Sequence, residues 1–291
     1  MTIIPCAPAE QTALLSFILP YEKLAVGFVS HILQGDSDFF LVIEDGRIYD
    51  AFSLSKGGQI FHCLPDAYSE KQGRLLTVLT DFFSPHKNIE LFNIIGEEKG
   101  SELLQRAIHS ATGRTTQHDQ HYILLEETPP SNNPSAEKTI VPQNSNSFSE
   151  PLTLVCCTPT MIDALLPLQI AYEKEEIQWK DSPIDPKLTR LTLLHALRTQ
   201  QIFSLAKNGV LIAKGGTNAI GKKYAQLGGI YTIPSERGKG YAEKIIRHLT
   251  ENLAAQRKKI VLFVKPENVP ALRLYEKCGF KQIGRFEIAY Y

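Results

Sequence analysis

The sequence predicts an α/β (α+β) protein of two domains, each a mixed, mostly antiparallel sheet flanked by helices. Three observations carry that expectation. A strand, a glycine turn and an amphipathic helix follow one another over 228–255. A stretch rich in Pro, Ser and Asn over 127–149 divides the 291 residues, and each part is long enough to bury its own core. The elements predicted before that stretch come in much the same order as those after it.

In the first half, periodicity predicts helices over 9–17 and 21–33. Strands over 39–43 and 48–54 flank an Asp45-Gly46 turn, and 59–63 is a third strand. Helix 68–82, strand 89–95, helix 97–109 and strand 120–126 complete it. The second half opens with strand 151–156 and helices 160–176 and 186–199. Strands 202–207 and 210–217 follow around Asn208-Gly209, then strand 224–232, helix, strand, helix, strand. The boundaries are 1–126, a linker over 127–149, and 150–291.

The most informative stretch begins at Gly229. β-Branched and aromatic residues run to Ile233, Pro234 stops them, and Arg237-Gly238-Lys239-Gly240 leads into a helix with Ala242, Ile245, Ile246, Leu249 and Leu253 on one face. Two glycines ahead of a helix leave backbone N–H groups bare and let an anion approach, so the turn is a candidate pyrophosphate site. It is neither of the common nucleotide loops, because Lys-Ser/Thr does not follow the last glycine and a third glycine is lacking. Beyond the helix, 260–264 is a short strand, Pro266 breaks it, and helix 268–277 is closed by Gly279 ahead of a strand opening at Phe280.

Arg237-Gly238-Lys239-Gly240-Tyr241-Ala242 resembles the Arg/Gln-x-x-Gly-x-Gly/Ala signature of the GNAT superfamily of acetyl-CoA-dependent N-acetyltransferases. Asn268, Ala271, Tyr275, Gly279 and Phe280 resemble that family's second signature, in the expected order. The resemblance implies two acyl-CoA N-acyltransferase-like domains and direct transfer of an acetyl group from acetyl-CoA to a primary amine, with no metal. It implies that Ile230, Tyr231 and Thr232 pair with the pantetheine arm through their backbone. The N–H groups of Gly238, Lys239, Gly240, Tyr241 and Ala242 would take the pyrophosphate, and the side chains of Arg237 and Lys239 would reach phosphates. Asn268 would touch the pantetheine arm, cap its helix, or do both. Tyr275 would protonate the leaving thiolate as general acid, the alternative being an aromatic that fills the core.

The general base is open. The strand glutamate of some relatives is replaced here by Phe263. Glu173, Glu175 and Glu176 border the acceptor side by the same resemblance, and Glu176 is the candidate base, the alternatives being an exposed helix face or a water chain. Cys278, beside a glycine cap, reads as filler rather than nucleophile. Where the second half carries its glycine turn, the first carries Leu64-Pro65-Asp66-Ala67-Tyr68-Ser69, with Asp66 placed to repel a phosphate. This reads as a degenerate half that shapes the acceptor side. The aromatic ending over 286–291 walls an acceptor pocket or closes the core. A non-catalytic CoA or acyl-CoA sensor or scaffold is the reading from another functional class.

Composition limits the partners. Lys plus Arg equals Asp plus Glu at 31 each, so no general field draws the chain to nucleic acid or an anionic membrane. No apolar run reaches the ~20 residues of a membrane span. Five cysteines, Cys6, Cys63, Cys156, Cys157 and Cys278, lack metal-ligand spacing and suit a reducing cytoplasm. The expected partners are therefore acetyl-CoA and an amine acceptor, small molecule or protein, with a homodimer left open.

Overall fold

Asp45 and Asn208 both adopt positive φ, 50° and 51°, and each is followed by a glycine at positive φ. That backbone matches strand twist in a two-residue hairpin, so the two turns set equivalent hairpins in the two halves. The computed structural model describes residues 1–35, 37–86, 88–128, 152–177 and 183–291. Apart from Glu127 and Thr128, the expected linker lies outside the described residues. The first half runs β1 (Thr2–Pro5), α1 (Gln11–Ile18), α2 (Val26–Gln34), β2 (Asp38–Glu44), β3 (Arg47–Leu54), β4 (Gln59–Cys63), α3 (Gln72–Phe83), β5 (Asn93–Glu97), α4 (Glu98–Thr112) and β6 (His118–Glu127). The second runs β7 (Leu152–Cys156), α5 (Ile162–Tyr172), α6 (Pro186–Thr199), β8 (Ile202–Lys207), β9 (Val210–Ile220), β10 (Tyr224–Thr232), α7 (Tyr241–Ala255), β11 (Lys259–Val264), α8 (Val269–Lys277) and β12 (Phe280–Tyr290). The repeated order is as expected, with β1 an additional strand ahead of the helices of the first half.

The two halves do not close separate sheets. Among the described residues the strands form one sheet in the order β1-β2-β3-β4-β5-β12-β6-β11-β10-β9-β8-β7. Two pairs, β4 with β5 and β10 with β11, are parallel and the others are antiparallel. Beyond its parallel fifth strand, each half continues into the last strand of the other. β12 pairs with β5 from Phe286 opposite Glu97 to Tyr290 opposite Asn93, and β6 pairs with β11 from Val261 opposite Glu126 to Val264 opposite Ile123. At the centre β6 and β12 pair with each other over their full length.

The cores follow the same exchange. Leu125 of β6 is buried with Ile260, Leu262, Ile245 and Tyr275 of the second half, and Ala289 of β12 is buried with Ile94, Leu104 and Ile108 of the first. One fully buried leucine contributes roughly 1.5 to 3 kcal/mol. Glu22, ahead of α2, adds a polar pin, since its Oε1 accepts the backbone N–H groups of Lys223 and Tyr224 at 2.8 and 3.1 Å. The approach requires Gly221, where a Cβ would lie 2.2 Å from the same oxygen.

The boundary at 150 therefore cuts a shared sheet, and residues 150–291 made alone would leave the edges of β11 and β12 bare. We expect that fragment to elute as aggregate and to unfold without a cooperative transition. Adding separately expressed residues 1–128 should restore one sharp melt, as followed by size-exclusion chromatography and circular dichroism.

Candidate active site

β10 and β11 pair in parallel from Tyr224 opposite Lys259 to Leu227 opposite Leu262, and there the pairing stops. On its other side β10 shifts register against β9, since Gly228 faces Gly216 while Tyr231 faces Lys214. That bulge forces Gly229 to φ +61°, a conformation costing a side chain roughly 1 to 2 kcal/mol. The strand bends away from β11, and backbone groups that a regular ladder would use now face a cleft of about 580 Å³.

One end of the cleft is the glycine turn. Gly238 and Gly240 hold φ +76° and +78°, and a Cβ on either would have no heavy atom of the described residues within 4 Å. No side chain caps α7, so the N–H groups of its first turn point outward without intrahelical acceptors. The other end is Tyr275 of α8, 7% exposed and edge-on to Phe280. Burial pushes its hydroxyl well above the usual tyrosine range, and the Glu176 carboxylate acts the same way, so it keeps its proton at neutral pH.

The structure gathers Ile230, Tyr231, Thr232, Arg237, Gly238, Gly240, Tyr241, Ala242, Asn268, Tyr275 and Glu176 around this one cleft. Lys239 turns outward and pairs with Glu236 at 2.8 Å. Arg237 is likewise taken, donating to Glu175 at 2.6 Å and to the Thr232 carbonyl at 3.0 Å. Carboxylates 2.6 to 2.8 Å away hold both side chains, and the turn presents backbone N–H groups to the cleft. Asn268 caps α8 by accepting from Ala271 N–H at 3.2 Å, while its Nδ2 donates to Glu176 Oε1 at 3.3 Å.

The acidic run is not an exposed face of a regular helix. Residues Glu173–Ile177 form a π-helical turn at the end of α5, a distortion frequent at functional sites. Glu173 accepts from Gln169 and Thr189, so each carboxylate of the run already has a donor. Cys278 is half-buried against the core around Leu253 and Phe280, in keeping with a filling role. Lys277 and Arg247 both pair with Glu243.

Four cleft-side residues carry no local sequence signal of their place. Tyr122 comes from β6 of the first half and packs on Phe263, ring centroids 4.9 Å apart. Tyr172 lies edge-on to Tyr231 at 6.2 Å. Asn218 of β9 lies where a Cβ on Gly228 would touch it. Lys214 is 4% exposed, donates to the Gly229 carbonyl at 2.9 Å and stands 4.4 Å from the Tyr172 ring. It thereby ties β9 to the bulge. A lysine in a strand pattern carries no sign of burial, and only the bulge creates its partner.

The corresponding place in the first half is filled. β4 and β5 pair in parallel as far as Phe61 opposite Ile95. The next residue is His62 where the second half has Gly228. Its ring is buried, within hydrogen-bond distance of Ser101 Oγ at 2.9 Å, and fits only because Gly96 and Gly100 lack side chains. Burial lowers its pKa to about 3, so it stays neutral. Asp66 is also buried, its N–H bonded to Asp50 Oδ1 at 3.0 Å. At the chain's end, Phe286 and Ile288 line a second cavity, while Ala289 and Tyr291 pack in the first half's core.

Burial lowers the pKa of Lys214 from 10.5 to about 8. The unfolded chain therefore binds more protons than the folded one between those values, and stability rises with pH across that window. At pH 7 charge burial costs on the order of 3 kcal/mol, against about 1 kcal/mol for the bond to Gly229. Lys214→Met should therefore stabilise the protein by about 2 kcal/mol at pH 7 and lose that advantage by pH 10, as read from urea unfolding midpoints at both pH values.

Residues 168–280 match the Acetyltransferase (GNAT) family. No curated protein matches the sequence. Among solved structures, a tandem GNAT protein from the clavulanic acid biosynthesis pathway superposes over 99% of this chain and 97% of its own, with 12% identity and a TM-score of 0.60. A Drosophila protein does so over 99% and 98%, with 11% identity and a TM-score of 0.64. A GNAT-family protein of Novosphingobium aromaticivorans is 22% identical over 60% of this chain, which spans 65% of that one, with a TM-score of 0.43. The family match falls on the half that holds the open cleft and the bare turn, and the full-length likenesses cover both halves: this chain carries an acetyltransferase domain of the GNAT family at 168–280, within the fold of a tandem GNAT protein.

Proposed function

We propose that the cleft between β10 and β11 binds acetyl-CoA and that the protein transfers its acetyl group directly to a primary amine. The observation that carries this reading is the conjunction of three features in one cleft: the bare glycine turn, the bulged backbone and the buried Tyr275. The turn N–H groups would hold the pyrophosphate. The backbone at Ile230, Tyr231 and Thr232 would pair with the pantetheine arm, and one N–H there would polarise the thioester carbonyl. The Tyr275 hydroxyl would give its proton to the departing thiolate. Coenzyme binding belongs to the second half alone, because His62 fills the corresponding divergence in the first. Glu176, engaged with Asn268, serves better to position that helix cap than to accept a proton. Five unpaired cysteines suit a reducing, cytoplasmic setting.

Gly240→Asp places a carboxylate where the pyrophosphate would meet backbone, in space otherwise open. Calorimetry should show CoA binding weakened by at least about tenfold with the circular dichroism spectrum retained. Unchanged affinity would place the phosphates elsewhere.

Tyr275→Phe keeps the ring against Phe280 and removes the proton. Its kcat and kcat/KM should fall together by roughly tenfold to a thousandfold while acetyl-CoA affinity stays within about twofold. Turnover at the wild-type rate would make Tyr275 a packing residue.

A further inference from the structure

A second cavity of about 350 Å³ lies between α2 of the first half and α6 of the second, floored by strands of both. It meets the cleft at two residues, since Asn218 and Phe263 line both spaces. An aromatic wall runs through the junction. Tyr122 faces the cleft, Phe263 faces both, and Phe286 faces the cavity. The Phe263 and Phe286 rings stack at 4.7 Å and 8°, and the Tyr122 ring is tilted against Phe263 at 4.9 Å.

The lining is also distinctive in what it carries. Among the described residues it includes apolar side chains, neutral polar ones such as Gln34, Asn218 and Gln226, and histidines, but no Asp, Glu, Lys or Arg. An ammonium ion entering such a space finds no countercharge among these residues, whereas a neutral amine needs none. The volume is that of a small-ligand site, and a flat ring can lie against the stacked wall.

Resting on the transferase reading above, we infer that this cavity is the acceptor site and that it takes a small aromatic amine, uncharged at neutral pH, with its nitrogen at Asn218 and its ring on Phe263 and Phe286. Such an amine arrives as the free base. That fits a cleft in which Glu173, Glu175 and Glu176 are all engaged by other donors. The two halves are then both needed for the acceptor, since Phe286, Asn218 and α6 come from one and α2 with Tyr122 from the other.

The test uses the full chain with 4-methylaniline and benzylamine as probes, the second being protonated at pH 7.5. Ligand-observed NMR reads binding without acetyl-CoA, and chromatography of the acetylated products reads transfer. We expect 4-methylaniline to bind and to be acetylated at least tenfold more efficiently than benzylamine. Ala196→Phe, on the α6 wall, should lower its binding and transfer at least tenfold while acetyl-CoA affinity by calorimetry stays within twofold. Gln34→Trp closes the same space from the exposed end of α2 and should do likewise, which keeps the test decisive if Ala196→Phe does not fold. Preference for benzylamine, or 4-methylaniline binding untouched by both substitutions, would overturn the inference. If 4-methylaniline binding is lost in the variants as expected but the wild-type chain binds no acetyl-CoA, the transferase reading fails, and the cavity's role as acceptor site falls with it.

Discussion

The exchange of β6 and β12 is the constraint on which the rest of this structure depends. Each half builds four antiparallel strands and a parallel fifth, then needs one more strand to cover the fifth strand's outer edge. That strand comes from the other half. An uncovered parallel strand would expose a row of N–H and C=O groups, so the pairing at the centre protects both edges at once. It also sets the halves at the separation that leaves a cavity between α2 and α6, and it carries Tyr122 to the cleft of the half to which it does not belong.

From that arrangement the two halves diverge through a few small residues. In the second half, Gly228 and Gly229 let β10 bulge, Lys214 fastens the bulge from β9, and the cleft stays open. In the first, the residue after the last parallel pair is His62, and Gly96 and Gly100 make room for its ring. One fold thus yields an open and a filled version of the same divergence. The difference is a matter of which side of the gap holds the side chain.

Much of this was legible in local sequence. Helix α6 starts and ends where its pattern predicts, because Asp185 accepts from Lys187 N–H ahead of Pro186 and the apolar period is regular. The glycine turn and the Asn268 cap were also readable, since both are contained within a few residues. β1 was not, being four residues at the sheet's edge, two exposed and two half-buried. Nor was the strand exchange, because alternation in 120–126 and 286–291 says that each is a strand but not which neighbour it joins. Tyr122, Lys214 and Asn218 gain their places only through that long-range pairing and through the bulge, neither of which has a local signal. The run Glu173–Glu176 reads as an exposed helix face until the π turn redirects its carboxylates.

The position of β12 between β5 and β6 has a consequence for the order of synthesis. The first half has its helices and five of its strands by residue 112, yet β5 waits for Phe286 to Tyr290 to cover its edge. At about 5 to 20 residues per second on a ribosome, the interval between making β6 and making β12 lasts roughly ten to thirty seconds. Throughout it, the apolar residues around Ile94 and Leu104 stand beside an open strand edge. A nascent chain in that condition is a natural client for a holding chaperone, and slowing translation within the second half would be expected to harm the folding of the first.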